Sequence, residues 1–262
     1  MDTLAFWLPL LLLFVSALMG TALKRRARDH CLKKLEGSKI IMPTLTGKWE
    51  SGLLKVFAQG IELSFSEPKE DECGTLNSLV LHPNEVGQIP YFLRPAPPID
   101  TRLGVQWKKE LSRIRQPSFL DRGRRCALNF YNMLRDAFGQ AAQAILGAIT
   151  KDSSFSQVKN SNKRMNEMQA GLTELVPNAW EPVLEKYRGH SIVVERKTSA
   201  GVIKESGILE DYSSKYLLVR EVQIREPELL GFLQKNPKFA GMYDLVYARS
   251  SSIIRHTICD PI

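Results

Sequence analysis

Cysteine is scarce in this chain, and its spacing excludes more than its number does. Cys31, Cys73, Cys126 and Cys259 lie far apart, with no CxxC pair among them. That pattern argues against a disulfide framework and reads as four free thiols in a reducing compartment. The four histidines, His30, His82, His190 and His256, are equally scattered. No HExxH, HxH or HxxxH spacing is present, so a zinc site has no support. GxSxG, P-loop and GxGxxG signatures are also missing. Glu205, Glu210 and Asp211 are close in sequence, and they read as a solvated strand edge rather than a catalytic pair. These absences give the expectation of a non-enzymatic protein with no cofactor.

What is present is ordinary folded-protein material: 44% hydrophobic and 24% charged residues over 262 positions. Pervasive disorder, collagen-like repeats and a many-span membrane protein are excluded on those proportions. Lys and Arg number 36 against 28 Asp and Glu. This basic excess favours an anionic contact, lipid head groups or nucleic acid, without choosing between them.

From Thr3 to Leu23 there is no charge, and Lys24, Arg25, Arg26 and Arg28 follow at once. As a helix rising ~1.5 Å per residue, this run would match a hydrocarbon core of about 30 Å. The cations lie after the apolar run, not before it as in a cleaved signal peptide. The expectation is a single-pass membrane anchor contacting lipid. Lys24, Arg25, Arg26 and Arg28 would set its topology, with the N-terminus out and the bulk of the chain cytoplasmic.

Beyond that run the chain repeats itself. Leu32-Lys33-Lys34-Leu35-Glu36-Gly37 is answered by Leu184-Glu185-Lys186-Tyr187-Arg188-Gly189, and each Gly precedes a short apolar run. Glu50-Ser51-Gly52-Leu53-Leu54 is answered by Glu205-Ser206-Gly207-Ile208-Leu209. Residues 60–65 match 215–219, and Tyr91-Phe92-Leu93-Arg94 is set against Val246-Tyr247-Ala248-Arg249. In each copy a helical turn ends at Gly37 or Gly189, a strand and Gly-containing hairpin follow, and Gly52 or Gly207 bends the next strand. Pro227 and the set Leu229, Leu230, Phe232 and Leu233 suggest a helix in the second copy. Pro90, Pro95, Pro97 and Pro98 suggest that the first copy closes with an edge strand.

This order of helix, G-h-x-h, hairpin and bent G-x-L strand resembles the Sm-like fold, over about 75 residues in each copy. The resemblance implies a five-stranded, strongly bent SH3-like barrel with an N-terminal helix. Members commonly form rings and bind uridine-rich RNA. The RNA-contacting residues are not retained: Ser213 and Ala58 occupy the place of the family's Asp, and Tyr216-Leu217 and Gly60-Ile61 that of its Asn. In the closing motif Arg255 is kept, but His256 replaces the following Gly.

Between the copies, residues 102–125 are basic, including Arg113, Arg115, Arg122, Arg124 and Arg125. These five are the candidates for contact with an anionic surface. Residues 126–150 then show helical periodicity, with Phe130, Leu134, Phe138, Ala141, Ile145 and Ile149 on one face.

The expected architecture is thus mainly β with helices: an N-terminal transmembrane helix plus two small Sm/SH3-like β-barrels joined by an amphipathic helix. Its segments are an anchor at 1–23, a first barrel at 24–105, a basic segment and amphipathic helix at 106–150, a polar linker at 151–178 and a second barrel at 179–262. The expected function is a membrane-anchored scaffold binding a protein partner or itself. RNA binding is the alternative.

Overall fold

β-Branched and aromatic residues crowd the runs that become strands, and glycines with positive φ close several turns between them, as at Gly47 and Gly60. The computed structural model describes residues 28–44, 47–72, 74–119, 123, 181–199, 201–236 and 241–258. Its first half holds α1 (His30–Lys33), β1 (Lys39–Pro43), β2 (Trp49–Phe57), β3 (Gly60–Asp71), β4 (Gly74–Leu81), α2 (Pro83–Val86) and β5 (Tyr91–Pro95). Helix α3 (Arg102–Arg115) follows. The second half holds α4 (Pro182–Tyr187), β6 (Ser191–Thr198), β7 (Gly201–Tyr212), β8 (Tyr216–Gln223), α5 (Pro227–Lys235), β9 (Tyr243–Ala248) and β10 (Ser252–Thr257).

The strands form one sheet in the order β10-β6-β7-β8-β9-β5-β1-β2-β3-β4, and each neighbouring pair is antiparallel. Within it the two halves carry the same strand order and the same register. Ile40 faces Gly52 as Ile192 faces Gly207, and Leu53 faces Ser64 as Ile208 faces Arg220. Gly37 N donates to Leu54 O at 2.8 Å, and Gly189 N donates to Leu209 O at 2.7 Å. By position β4 corresponds to β9, and β5 to β10. The sequence match of Tyr91–Arg94 to Val246–Arg249 is therefore corrected. Tyr91 lies opposite Tyr247 and Phe92 opposite Val246, so β5 and β9 are hydrogen-bonded neighbours rather than counterparts.

The cores explain why the halves do not stand apart. Alternate residues of a strand point to opposite faces, and β5, β8 and β9 are apolar on both. Tyr216, Leu218, Val246 and Ala248 join a core built on Ile40, Leu54, Leu63 and Cys31 of the first half. Leu217, Val219, Leu245 and Tyr247 join a second core, which takes Ile41, Tyr91 and Leu93 from the first half. Each core borrows strands from the other half.

Three expectations are corrected here. The strands form a single open ten-stranded sheet with a few short helices, not two closed barrels, because β5 and β9 pair edge to edge and merge the halves. Among the described residues no helix is long and apolar enough to cross a membrane. The expected span at 3–23 lies outside the described residues, as do Lys24, Arg25 and Arg26. The single-pass membrane placement, N-terminus out and bulk of the chain cytoplasmic, is left without structural support and is withdrawn. Finally, β5 sits at the centre of the sheet, paired on both sides with β1 and β9. Pro95 is the last residue of its paired run, opposite Tyr243, and Pro90, Pro97 and Pro98 lie outside the strand.

Candidate functional site

The chemistry of this molecule concentrates where the halves meet. Arg94 on β5 lies opposite Asp244 on β9 and donates to its Oδ2 from Nε at 3.1 Å and from Nη2 at 2.7 Å. Asp244 is fully buried. A buried carboxylate is tolerated only when its lone pairs are satisfied, and here more donors converge. Trp107 Nε1 donates to Oδ2 at 2.8 Å, and Arg220 Nε stands 3.2 Å from Oδ1. Arg220, itself buried, also donates to Glu210 at 3.0 Å and lies under the Trp107 ring at 5.4 Å from its centroid.

Helix α3 delivers Trp107. Thr101 caps its N-terminus, accepting from Gly104 N at 3.1 Å. Trp107, Leu111 and Ile114 recur at helical spacing and pack against Ile208. At its far end Arg115 pairs with Glu221 at 3.0 Å. Glu221 is the one non-glycine residue with positive φ among those described, at 51°. It stands at the register shift between Val219 and Val222. Its backbone N–H points to Asp244, and its side chain is held by α3, so neighbouring structure supports an otherwise costly conformation.

Helix α1 supplies a second clasp across the same junction. Lys34 Nζ donates to Glu210 at 2.8 Å and to Asp211 at 2.7 Å, on β7 of the other half. His30 Nε2 lies 2.9 Å from Tyr212 O and 3.6 Å from Asp211. Arg188 approaches Asp211 at 3.4 Å. Burial alone would raise the Asp211 carboxyl, but His30, Lys34 and Arg188 outweigh it and hold the group well below the usual carboxylate range. Burial likewise opposes charge on His30, and the facing Asp211 outweighs it, so the imidazole is raised.

Glu205 belongs to neither clasp. It is buried in the second core, where Tyr247 donates to it at 3.0 Å and Arg196 approaches at 3.6 Å. Arg196 also donates to Glu226 at 2.9 Å and lies 4.5 Å from the Tyr91 ring centroid. The reading of Glu205, Glu210 and Asp211 as one solvated edge is corrected: Glu205 and Asp211 are buried, Glu210 is half-buried, and the three are split between two networks. Their closeness in sequence, within six residues, concealed this because a register shift between Leu209 and Asp211 redirects the strand.

The ends of the sheet look different. Strand β4 carries no charged residue and leaves Val80 58% exposed. Strand β10 leaves Ile253 half exposed, with Arg255 drawn to Glu195 on the neighbouring strand at 3.1 Å. Of the five predicted anionic-surface residues, Arg113 and Arg115 are exposed on α3, and Arg115 is the one bound to Glu221. Arg122, Arg124 and Arg125 lie outside the described residues, as does the expected helix at 126–150. Arg28, assigned to topology, pairs with Glu36 at 3.2 Å. Among the described residues no group of three or more His, Cys, Asp or Glu is arranged to hold a metal ion. Sequence reasoning missed α3 as a docked helix, although Thr101 and the Trp107, Leu111, Ile114 spacing signal it. Comparison with known protein families, curated proteins and solved structures finds no match to this chain.

Proposed function

We propose that this chain is a non-enzymatic assembly module whose two Sm-like halves bind protein, foremost a second copy of the chain, by strand pairing at β4 and β10. One observation carries the reading. Each half has a fourth-strand edge and a fifth-strand edge, and the β5–β9 junction uses one of each. What remains at the two ends is again one fourth strand, β4, and one fifth strand, β10. A surface that complements another patch on the same molecule makes head-to-tail contacts, which close into a ring or run on as a filament. β4 also lacks the charges and prolines that commonly block edge pairing. Sedimentation of the full chain across a concentration series tests this. Wild type should associate, and Val80→Lys, at an exposed position, should weaken association at least about tenfold. The readout is the difference between the two proteins, because the apolar run at 3–23 is common to both. Equal sedimentation of the two would sink the proposal.

RNA binding is a second reading, supported by where the charge resides. Residues 102–169 hold 13 Lys and Arg against 5 Asp and Glu, whereas residues 1–101 hold 11 of each and 170–262 hold 12 of each. The whole excess therefore lies on the connection that begins with α3, whose exposed residues include Arg102, Lys109 and Arg113. Neutralising these three to Gln should flatten the log–log salt slope of RNA retention by about 2, at ~0.7 per phosphate contact on a single strand. An unchanged slope would remove α3 from any such contact.

A further inference from the structure

The intramolecular junction and the two open ends are built on corresponding positions, so their side chains can be compared one for one. Val219 faces Leu245 as Leu63 faces Leu79, which makes Ser78 the counterpart of Asp244. Ile41 faces Leu93 as Val193 faces His256, and one step along each strand makes Thr257 the counterpart of Arg94. The charged cross-strand pair of the inner junction is thus replaced at the ends by two hydroxyls. The inner clasp is also missing there: the counterpart of Asp211, which receives Lys34, is Lys55, since Val56 faces Ile61 as Tyr212 faces Leu217, and the counterpart of Lys34 is Lys186.

From this comparison we infer that Arg94 and Asp244 are the specificity-determining residues of strand pairing: they direct β5 to β9 within one chain and leave β10 to meet β4 of a second copy. The inference rests on the self-association reading and adds to it which edge meets which, and why. Four edges of similar backbone are available in this sheet, and backbone hydrogen bonding does not distinguish them. If β10 met β9, Asp244 would be buried opposite Thr257, with Arg94 no longer supplying its two hydrogen bonds. If β5 met β4, Arg94 would face Ser78 with no carboxylate. Either exchange separates Arg94 from the buried Asp244, which then keeps only Trp107 and Arg220, whereas the pairings β5–β9 and β10–β4 leave both their partner. Continuing the inner register, Thr257 of one copy would face Ser78 of the next, and His256 would face Leu79.

Grafting the pair onto the ends tests the inference on the full chain. Ser78 is half-buried and Thr257 exposed, so neither substitution disturbs a core. Sedimentation equilibrium at low and high salt would compare wild type, Ser78→Asp/Thr257→Arg and the like-charge control Ser78→Asp/Thr257→Asp. The opposite-charge graft should tighten association about fivefold at low salt, an advantage lost at high salt, and the like-charge graft should weaken it. Association of wild type with no difference among the three proteins would overturn the pairing code and leave the self-association reading standing. A monomeric wild type with an associating opposite-charge graft would do the reverse. If all three stay monomeric at every concentration, both fall.

Discussion

Two pairs of glycines occupy matched positions in the halves, and their surroundings separate two reasons for having no Cβ. At Gly52 a Cβ would stand 2.5 Å from Ser64 O, and at Gly207 2.7 Å from Arg220 O, so close backbone approach excludes a side chain there. Neither residue has positive φ, so strand crowding, not handedness, is the cause. Gly37 and Gly189 do have positive φ, at 75° and 82°. Only Gly189 is also crowded, because Ile114 O at the end of α3 would lie 2.5 Å from its Cβ. Replacing Gly37 by Ala should cost about 1–2 kcal/mol for the left-handed backbone alone. Gly189→Ala should cost clearly more, since it also pushes α3 away from the sheet. Urea unfolding midpoints of the two variants measure the difference. Equal losses would mean that α3 does not seat on Gly189.

At the scale of the element, α1 is too short to hold itself, with four residues and an Asp29 cap that accepts from Cys31 N and Leu32 N. Its place depends on the buried Cys31 and Leu32 and on the His30 and Lys34 contacts to the other half. Both titrating partners shift in the direction that favours the clasp. The folded value of His30 is raised above 6.5, so its contribution is complete below that pH and is lost as pH rises through the raised value. The folded value of Asp211 is depressed below 3.8, so its contribution is complete above the ordinary carboxylate value and is lost as pH falls through the depressed one. The clasp is therefore firmest between about pH 4 and 6.5. Thermal midpoints should fall from pH 6 to 8.5 in wild type, and His30→Asn should remove most of that slope. An identical slope in the variant would take His30 out of the account. Lys34, Arg188, Glu210 and Asp29 are the other charged groups around it, and Lys34 and Arg188 are raised further from that interval.

For the whole molecule, the shared cores have a cooperative consequence. Ile41, Tyr91 and Leu93 of the first half are interior to the second core, and Leu218 and Val246 of the second half are interior to the first. Unfolding one half exposes apolar surface on the other, so neither is stable by itself to the extent that two separate barrels would be. Urea denaturation should show one transition, with Trp49 fluorescence and far-UV circular dichroism coincident. Trp49 is a suitable probe because it packs on Tyr91 and Phe232, where the halves share a core. Two resolved transitions would contradict the shared-core arrangement.

Much of the repeated part was legible from residue order because it depends on local requirements. A glycine that closes a turn, a glycine where strands crowd and the apolar alternation between them recur in Gly37, Gly52, Gly189 and Gly207, and each can be recognised without knowing its neighbours in space. The helix start at Pro227 is local in the same way. The pairing of β5 with β9 is not, since it joins residues about 150 positions apart and merges what read as two barrels into one sheet. The burial of Asp244, Arg220 and Arg196 was equally hidden. A charged side chain looks solvent-bound in sequence until its partner is brought to it: Arg94 reaches Asp244 from the other half, and Arg196 and Arg220 meet their carboxylates across separate elements of their own half. Composition and periodicity marked most of the strands and where the chain repeats itself. Only the tertiary structure decided which edges meet, because backbone hydrogen bonds are alike at every edge and the side chains that choose between them act across the junction.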